Sequence, residues 1–401
     1  MAKKTCRDIE LKGKRVLVRV DFNVPLNQHG QITDDVRIRA ALPTLEYLLD
    51  QGAALVLMSH LGRPKGQRID ALSLRPVAAR LGELLQKNVR LAPDCLGAEV
   101  DEQVQGLAPG QVLLLENLRF HVAEETNDAE FACQLAACGE VYVNDAFGAA
   151  HRAHASTEGV THHIDAAVSG FLLEKELQYL DEAVKNSTQP FVVLLGGAKV
   201  SGKIEIIEHL MDKVDALLIG GGMAFTFYKA MGLEIGDSLL EEKGLAVARE
   251  AQKKAQSAGV DLVLPVDCVV ADRFAADAKT QTVAAEAISA GWQGLDIGPQ
   301  TRRLFAERIN QAKTLIWNGP LGVCEMEPFA AGTQAVAHAV AQATREKGMV
   351  SIIGGGDTAA AIAQAGLDRQ MTHISTGGGA SLELLGGRVL PGVAALTEQE
   401  G

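Results

Sequence analysis

A glycine turn followed by two lysines, near the middle of the chain, has the residue types of a phosphate-binding site. Residues 191–195 are all apolar, which is typical of a strand buried on both faces. The glycines at 196–197 allow the backbone to turn sharply and to approach a ligand closely. Lys199 and Lys203 follow, and we predict a helix from Lys203 to Val214. A strand, a glycine turn, lysines and a helix start together predict phosphate binding.

The spacing of Gly197, Gly202 and Lys203 also matches the P-loop pattern G-x-x-x-x-G-K. A P-loop continues with Ser or Thr, whose hydroxyl group binds Mg²⁺, whereas this chain continues with Ile204. We therefore predict that the turn is not a P-loop, and that another residue holds the magnesium ion of any bound nucleotide. The alternative interpretation is an ordinary strand–helix turn that carries surface lysines.

Further apolar segments in the second half of the chain also end in glycine-rich turns. These turns are Gly220–Gly222, Asn318–Gly322, Gly354–Thr358 and Thr376–Gly379. Because ligands of parallel sheets bind beyond the carboxyl ends of the strands, we predict that the turns form one site for a flat, phosphate-bearing ligand. Asp357 lies among these glycines, where a carboxylate can hold Mg²⁺ carried by nucleotide phosphates. The alternative interpretation of Asp357 is a helix N-cap.

In the first half of the chain, cationic side chains follow the apolar segments instead. They lie at the ends of four predicted strands or, in the case of Arg37, at the start of a helix: Arg19, Arg37, His60, Arg63, Arg119, His151, Arg152 and His154. Guanidinium groups bind phosphate and carboxylate oxygens through a planar fork of donors. We therefore predict a site for a small, multiply anionic molecule. Asp21 and Asn23 are candidates for hydrogen bonds with its hydroxyl groups.

The elements that must position these residues alternate between strand and helix. The predicted strands are residues 16–20, 54–58, 111–115, 140–143, 191–195, 216–219, 314–317, 350–353 and 371–375. Helices with one apolar face are predicted over Val36–Gln51, Leu74–Leu85 and Phe171–Lys185. This alternation predicts an α/β fold with doubly wound parallel sheets. The third helix leads into residues 186–190 and is the predicted domain boundary and hinge, unless it is one more helix of a continuous sheet.

Composition narrows the class of protein. A chain of 401 residues is long enough for about two domains, and 47% hydrophobic with 22% charged residues is typical of a globular protein. The formal net charge of −12 argues against general binding of nucleic acids or anionic membranes. The six cysteines lack zinc-site spacing, no apolar region follows Lys3 and Lys4, and no apolar run could span a membrane. We therefore expect a cytoplasmic protein with reduced cysteines.

Taken in order, several of these segments resemble the phosphoglycerate kinase family. They are Val20–Pro25, Ser59–Pro64, Glu116–Arg119, Asn144–Gly148, Ala150–His154, Gly196–Val200, Trp317–Pro320, Gly354–Thr358 and Ser375–Ala380. The resemblance covers almost the whole chain and implies two Rossmann-like domains that face a central cleft and are joined by a long helix. It implies an N-terminal domain at 1–170, the helix and hinge at 171–185, a nucleotide-binding domain at 186–389, and a return of 390–401 to the first domain.

The resemblance also implies site residues. The residues that match the family's site for 3-phosphoglycerate or 1,3-bisphosphoglycerate are Asp21, Phe22, Asn23, Arg37, His60, Leu61, Gly62, Arg63, Arg119 and Arg152. Those for ADP or ATP are Gly197, Lys203, Gly221, Asn318, Pro320, Glu325, Gly355, Gly356, Asp357 and Thr358, with Asp357 as the Mg²⁺ ligand. The implied catalytic residues are Arg37, Lys199, Lys203 and Gly378. The sequence departs from the family's common pattern at Gly202 and Cys324.

The activity implied is reversible phosphoryl transfer between 1,3-bisphosphoglycerate and ADP, by a monomer that acts on small molecules and binds neither nucleic acid nor membrane. Two alternatives remain at this point. One is a dehydrogenase, because Gly354, Gly356 and Ala359 fit the dinucleotide fingerprint; against it, Thr376 lies where the fingerprint expects an acid. The other alternative is a non-enzymatic sensor of phosphorylated metabolites.

Overall fold

The computed structural model describes residues 3–399, and the chain divides into two compact units. Unit 1 contains the residues up to Gln178 together with those from Val389 onward, and unit 2 contains Tyr179–Arg388. The boundary lies within the helix that was predicted as the hinge. Motion about this helix stays a prediction. No helix of the described residues is long and apolar enough to cross a membrane.

Within residues 3–399, unit 1 is built on a sheet of six parallel strands in the order β3-β4-β2-β1-β5-β6. The strands are β1 (Arg15–Val20), β2 (Ala54–Met58), β3 (Val89–Leu91), β4 (Val112–Leu114), β5 (Val141–Asp145) and β6 (Ala167–Ser169). All residues of β2, β4 and β5 are buried, as expected for a parallel sheet that is covered on both faces.

The helices of unit 1 cover this sheet. They are α1 (Val36–Asp50), α2 (Arg75–Leu85), α3 (Ala98–Gln105), α4 (Val122–Glu125) and α5 (Ala129–Ala136). Helix α1 buries Ile38, Leu45 and Leu48 in the same hydrophobic core as Val16 and Val18 of β1. This periodic burial confirms the apolar face predicted from the sequence.

Helix α6 (Phe171–Lys185) contains the unit boundary, and its N-terminus is held by buried polar groups of unit 1. The carboxylate of Asp145, at the end of β5, accepts a hydrogen bond from the Leu172 N–H at 2.8 Å. The hydroxyl group of Thr44 accepts one from the Phe171 N–H at 2.9 Å. Burial raises the pKa of Asp145 to about 6, although the helix N–H groups and Thr44 favour the charged form.

Unit 2 contains a second parallel sheet and a small antiparallel one. Among the described residues the parallel sheet has six strands in the order β15-β14-β13-β7-β8-β9, and the antiparallel order is β11-β10-β12. The strands are β7 (Phe191–Leu195), β8 (Ala216–Ile219), β9 (Asp261–Val263), β10 (Asp267–Ala271), β11 (Thr280–Ala284), β12 (Gln293–Ile297), β13 (Thr314–Asn318), β14 (Val350–Gly354) and β15 (His373–Ile374). Two parallel-sheet α/β units confirm the predicted fold class.

The helices that accompany these strands are α7 (Ile204–Leu210), α8 (Met223–Ala230), α9 (Leu245–Ala258), α10 (Pro299–Gln311), α11 (Ala331–Lys347), α12 (Gly356–Gln364) and α13 (Gly379–Leu385). Helix α7 is shorter than the predicted helix Lys203–Val214, because Lys203 belongs to the 3₁₀ turn Ser201–Lys203 and the helix ends four residues early, at Leu210. The last helix, α14 (Pro391–Ala394), belongs to unit 1, where the Gly392 N–H donates to the Ala150 carbonyl at 2.9 Å.

Replacing Asp145 with Asn should make the free energy of unfolding less dependent on pH. The folded-state pKa of about 6 lies above the ordinary 3.8, so stability from the protonated carboxyl is complete below about pH 4 and is lost as the pH rises through about 6. Asn keeps an oxygen for the Leu172 N–H and cannot ionise. We expect Asp145→Asn to be as stable as wild type at about pH 4 and more stable by about 1–3 kcal/mol at about pH 7.

Urea unfolding at both pH values measures this difference. The matched control is Asp165→Asn, which removes an exposed carboxylate of the same unit. A pH dependence in Asp145→Asn equal to that of wild type would contradict the assignment.

Candidate active site

In unit 1, three chain segments meet at the carboxyl end of β1. The backbone N–H of Gly62, in the turn after β2, donates to the Asn23 side-chain oxygen at 2.9 Å. The Asn23 N–H in turn lies 3.3 Å from a carboxylate oxygen of Asp21. The guanidinium of Arg37, at the start of α1, forms an ion pair with the other Asp21 oxygen. The structure therefore brings these four predicted residues together.

The turn after β2, which carries His60 to Arg63, is held by a buried amide. Asn117 accepts a hydrogen bond from the Leu61 N–H at 3.1 Å and donates to the Leu61 carbonyl at 2.8 Å. Arg119 donates to the Gly62 carbonyl at 2.9 Å. Ser59, before the turn, accepts from the Phe22 N–H at 2.9 Å. Sequence reasoning missed the supporting roles of Asn117 and Ser59, although both lie within the quoted segments.

Solvent exposure divides the cations of unit 1 into two groups. Arg63 and Arg152 are exposed, and the side chain of Arg37 is 32% exposed. Arg19 and His154, which we expected at the rim with the others, are buried at 1% and 7% exposure. Both contact protein groups: Arg19 donates to the Ser156 hydroxyl at 2.9 Å, and Nδ1 of His154 lies 3.8 Å from the Glu124 carboxylate.

The buried imidazoles of this cluster are held neutral. Burial lowers the pKa of His60 well below its usual value, and Arg19, Arg119 and Arg37 lower it further. Burial likewise lowers the pKa of His154 to about 4, with nearby arginines adding to the effect. The positive charge of the site at neutral pH therefore comes from arginine.

In unit 2, the turns after β7, β8 and β13 are bound to each other by main-chain hydrogen bonds. The Gly197 N–H donates to the Pro320 carbonyl at 2.8 Å, and the Gly221 N–H donates to the Leu321 carbonyl at 3.2 Å. A Cβ atom at Gly196 would lie 2.2 Å from the Pro320 oxygen. Only glycine fits this approach. The sequence analysis expected the glycines to bring the backbone close to a ligand, whereas the contact seen here is between two turns of the protein.

Lys203 lies beside these turns and is half-buried. Its ammonium group donates to the side-chain oxygen of Asn318, at the end of β13. Burial lowers the pKa of Lys203 to about 8, and the negative charge of Asp357 partly opposes this effect. The side-chain nitrogen of Asn318 is buried and has no hydrogen-bond partner among the described residues. A half-buried cation beside an unused donor is suited to an anionic ligand.

Asp357 is the second residue of α12 and is exposed to solvent. The N-cap of this helix is Gly355, and no side chain caps it, so the N-cap interpretation of Asp357 is not supported. Thr358 instead faces inward, where its hydroxyl group accepts from the Gly319 N–H at 2.9 Å. The Asp357 carboxylate is therefore available to a ligand. Gly378, with φ of +52°, is the N-cap of α13.

A cavity of about 700 Å³ opens beside these turns within unit 2. Its walls include Gly197, Gly221, Phe225, Leu239, Glu325 and Asp357. Apolar walls with a few polar groups at one side suit a ligand that combines a flat ring with charged groups. The sequence analysis identified the glycines, Glu325 and Asp357, but missed the apolar wall, because Phe225 and Leu239 follow no motif.

One further group of potential metal ligands occurs among the described residues. Asp94, Cys95 and His121 place ligand atoms within 4.8 Å of one another. The Asp94 carboxylate is hydrogen-bonded to the His121 ring at 2.7 Å, and the Cys95 thiol donates a hydrogen bond to the Glu116 carbonyl at 2.9 Å. Arg68 lies 3.9 Å from the same carboxylate. These contacts account for the group without a metal.

Comparison with known proteins decides the family. The family model for phosphoglycerate kinase matches residues 6–388. The chain belongs to the phosphoglycerate kinase family. Phosphoglycerate kinase of Chloroherpeton thalassium is 57% identical over 397 residues, which are 99% of this chain and 100% of the relative. That of Synechococcus elongatus is 58% identical over 401 residues, with the same coverage.

Solved structures of the family give the same result. Phosphoglycerate kinase from Coxiella burnetii is 42% identical and superposes with a TM-score of 0.88, covering 98% of both chains. That from Pyrococcus horikoshii is 33% identical, with a TM-score of 0.86 and the same coverage. The family resemblance predicted from the sequence is confirmed. Membership in a kinase family also favours phosphoryl transfer over the dehydrogenase and sensor alternatives.

Replacing Gly196 with Ala should destabilise unit 2, because the new methyl group would lie 2.2 Å from the Pro320 oxygen. We expect a loss of at least about 2 kcal/mol in the free energy of unfolding, typical of a forced backbone shift. Chemical denaturation measures it. Gly202→Ala is the matched control from the following turn, since its Cβ would meet nothing within 4 Å and should change stability little. Equal stability of both variants would refute the close approach.

Proposed function

We propose that this chain catalyses the reversible transfer of a phosphoryl group between 1,3-bisphosphoglycerate and ADP, giving 3-phosphoglycerate and ATP. The observation that carries the proposal is the presence, in one chain of this family, of two differently built strand-end sites. Unit 1 offers guanidinium groups, which suit a small multi-anionic acid. Unit 2 offers glycine turns, a half-buried lysine and an apolar cavity, which suit a nucleotide.

In unit 1, 3-phosphoglycerate would be bound by Arg37 and the arginines that follow the strand ends. Arg37, Arg63 and Arg152 have side chains that reach solvent, so they can contact phosphate or carboxylate oxygens directly. Asp21 and Asn23 can bond the hydroxyl group of the acid. His60 and Arg119, which are more buried, complete the set with the backbone of Phe22, Leu61 and Gly62.

In unit 2 the nucleotide base would occupy the 700 Å³ cavity, and its phosphates would lie at the glycine turns. Lys203 and the free N–H of Asn318 are placed for phosphate oxygens. Glu325 borders the cavity, where it can bond a ribose hydroxyl group. Gly355, Gly356 and Thr358 form the start of α12, whose N-terminal N–H groups favour anions.

Asp357 is the residue that would hold Mg²⁺. Its exposed carboxylate borders the cavity and lies near enough to Lys203 to affect that residue's pKa. Magnesium in kinases is usually bound by one or two carboxylates together with substrate phosphates, so this donor set fits. When bound, the ion neutralises phosphate charge and orients the phosphates.

The reaction needs no general base, because the attacking oxygen belongs to a carboxylate or a phosphate that is already ionised at neutral pH. Catalysis then consists of positioning and of neutralising the charge on the transferred phosphoryl group. We assign this neutralisation to Arg37 of unit 1 and Lys203 of unit 2. Lys199, which is exposed, and the backbone N–H groups around Gly378 would assist. We further propose that the protein acts as a monomer in the cytoplasm.

Arg37→Ala and Lys203→Ala should each lower kcat for ATP-dependent turnover of 3-phosphoglycerate by about 100-fold or more, as expected for a lost charge at the transition state. Turnover can be followed through coupled reduction of the acyl phosphate. Arg39→Ala removes an exposed arginine two residues along α1, and Lys243→Ala removes an exposed lysine of unit 2. Both controls should retain nearly full activity. Near wild-type turnover in Arg37→Ala or Lys203→Ala would exclude the assigned role.

Asp357→Asn should raise the Mg²⁺ concentration needed for half-maximal turnover by about tenfold, because a neutral amide is a weaker ligand for a hard cation. The measurement is a Mg²⁺ titration of activity at fixed ATP, with far-UV circular dichroism to verify the fold. Asp368→Asn, which removes an exposed carboxylate soon after α12, is the control and should leave the Mg²⁺ requirement unchanged. An unchanged requirement in Asp357→Asn would remove this residue from the metal site.

A further inference from the structure

Arg19 is a buried cation whose charge no motif accounted for. It is 1% exposed, and among the side chains that the structure describes no carboxylate forms an ion pair with it. Its guanidinium has three partners instead: the Val20 carbonyl, the Ser156 hydroxyl at 2.9 Å and the Nδ1 atom of His60 at 3.0 Å. Burying an unpaired charge is costly, so the surrounding groups must offset that cost.

The compensating negative charge is the carboxylate of Glu124 in α4, which Ser156 links to Arg19. This carboxylate is fully buried and accepts a hydrogen bond from the Ser156 hydroxyl at 2.6 Å and from the Ser156 N–H at 3.0 Å. Burial raises the pKa of Glu124, while Arg19 and Ser156 favour its charged form. The serine hydroxyl thus accepts from Arg19 and donates to Glu124, which gives the network a single direction.

The contact with Arg19 decides which ring nitrogen of His60 carries the proton. Guanidinium groups only donate hydrogen bonds, so the Nδ1 atom that faces Arg19 must be the acceptor. A neutral imidazole whose Nδ1 accepts carries its proton on Nε2. The charged and titratable groups that act on His60 are Arg19 on β1, Arg37 on α1, Arg119 after β4 and His154 after β5, and all disfavour the imidazolium form.

We propose that Glu124 and Ser156, acting through Arg19, keep the imidazole of His60 neutral with its proton on Nε2. The inference rests on the proposed function for the role of His60 in acid binding. A fixed Nε2–H group donates to an anionic oxygen of the acid, and the arrangement supplies this donor without a pH-dependent charge. Glu124 and Ser156 are positioning residues, since they would act on the ligand through Arg19 and His60; Glu124 also lies 3.8 Å from Nδ1 of His154, which is held neutral.

The direct test is the ¹⁵N chemical shifts of the His60 ring in the ligand-free protein, assigned by comparison with His60→Asn. We expect the Nε2–H tautomer and no protonation of His60 between about pH 5.5 and about pH 7.5, around the usual histidine pKa. In Ser156→Ala, Arg19 loses the acceptor that helps to hold its guanidinium against Nδ1 of His60. The two neutral tautomers of His60 should then mix, and the ring should titrate. An Nδ1–H tautomer or a titrating His60 in the wild-type protein would overturn the proposal.

Enzyme kinetics provide a second test of the proposal. Ser156→Ala should raise KM for 3-phosphoglycerate by about five- to tenfold at about pH 7.5, where the His60 ring is neutral and the Nδ1–H tautomer lacks the Nε2–H donor, with kcat and the KM for ATP nearly unchanged. The control is Ser73→Ala, which removes a similar bond of 2.7 Å to a buried carboxylate, that of Glu116. It should leave the His60 shifts unchanged. Glu124→Gln, which should act in the same direction, replaces Ser156→Ala if that variant does not fold.

These measurements separate two kinds of failure. Absence of any turnover of 3-phosphoglycerate by the wild-type protein would refute the proposed function, while the ring shifts of ligand-free His60 would still decide its tautomer. Normal turnover, with ring shifts and KM in Ser156→Ala equal to those of Ser73→Ala, would overturn the positioning role alone.

Discussion

The structure of unit 2 depends on the approach of main chain to main chain at the ends of three neighbouring strands. Atoms of Gly196, Gly319 and Gly221 lie so close to adjacent turns that a Cβ at any of them would fall within 2.2–2.8 Å of a backbone atom. These contacts leave no room for side chains at that edge of the sheet. Backbone N–H groups and the side chains of more distant residues must therefore make the site, which is why its charges are few.

The proposed acid site of unit 1 is built in another way. Its strand ends carry guanidinium groups, which repel each other and must be kept apart by rigid supports. The supports are buried polar side chains: Asn117 fixes the turn that carries His60 to Arg63, and Asp21 forms an ion pair with Arg37. A protein of net charge −12 can thus carry a local group of cations, of which Arg37 and Arg119 have defined neighbours in Asp21 and the Gly62 carbonyl.

Much of this organisation could be predicted from the sequence because it is local. Apolar runs such as 191–195 gave strands at the predicted positions, and helix α6 has the predicted bounds Phe171–Lys185. Short or exposed elements could not be predicted: β3 has three residues, none fully buried, and β11 is mostly exposed, so neither shows an apolar pattern. The position of Arg19 also escaped prediction, since burial of a charged side chain depends on partners such as Ser156 that lie far along the chain.

In the proposed nucleotide site, two lysines of unit 2 differ in their exposure to solvent, and this difference favours Lys203 as the residue that would bind phosphate. Lys199 lies in water, where an ion pair with phosphate is screened and contributes little. Burial lowers the pKa of Lys203 to about 8, and the nitrogen of Asn318 beside it has no hydrogen-bond partner among the described residues. An anionic oxygen bound there would favour the charged form of the lysine and could satisfy the amide. In the proposed site, the desolvation of Lys203 would therefore favour a phosphate ligand.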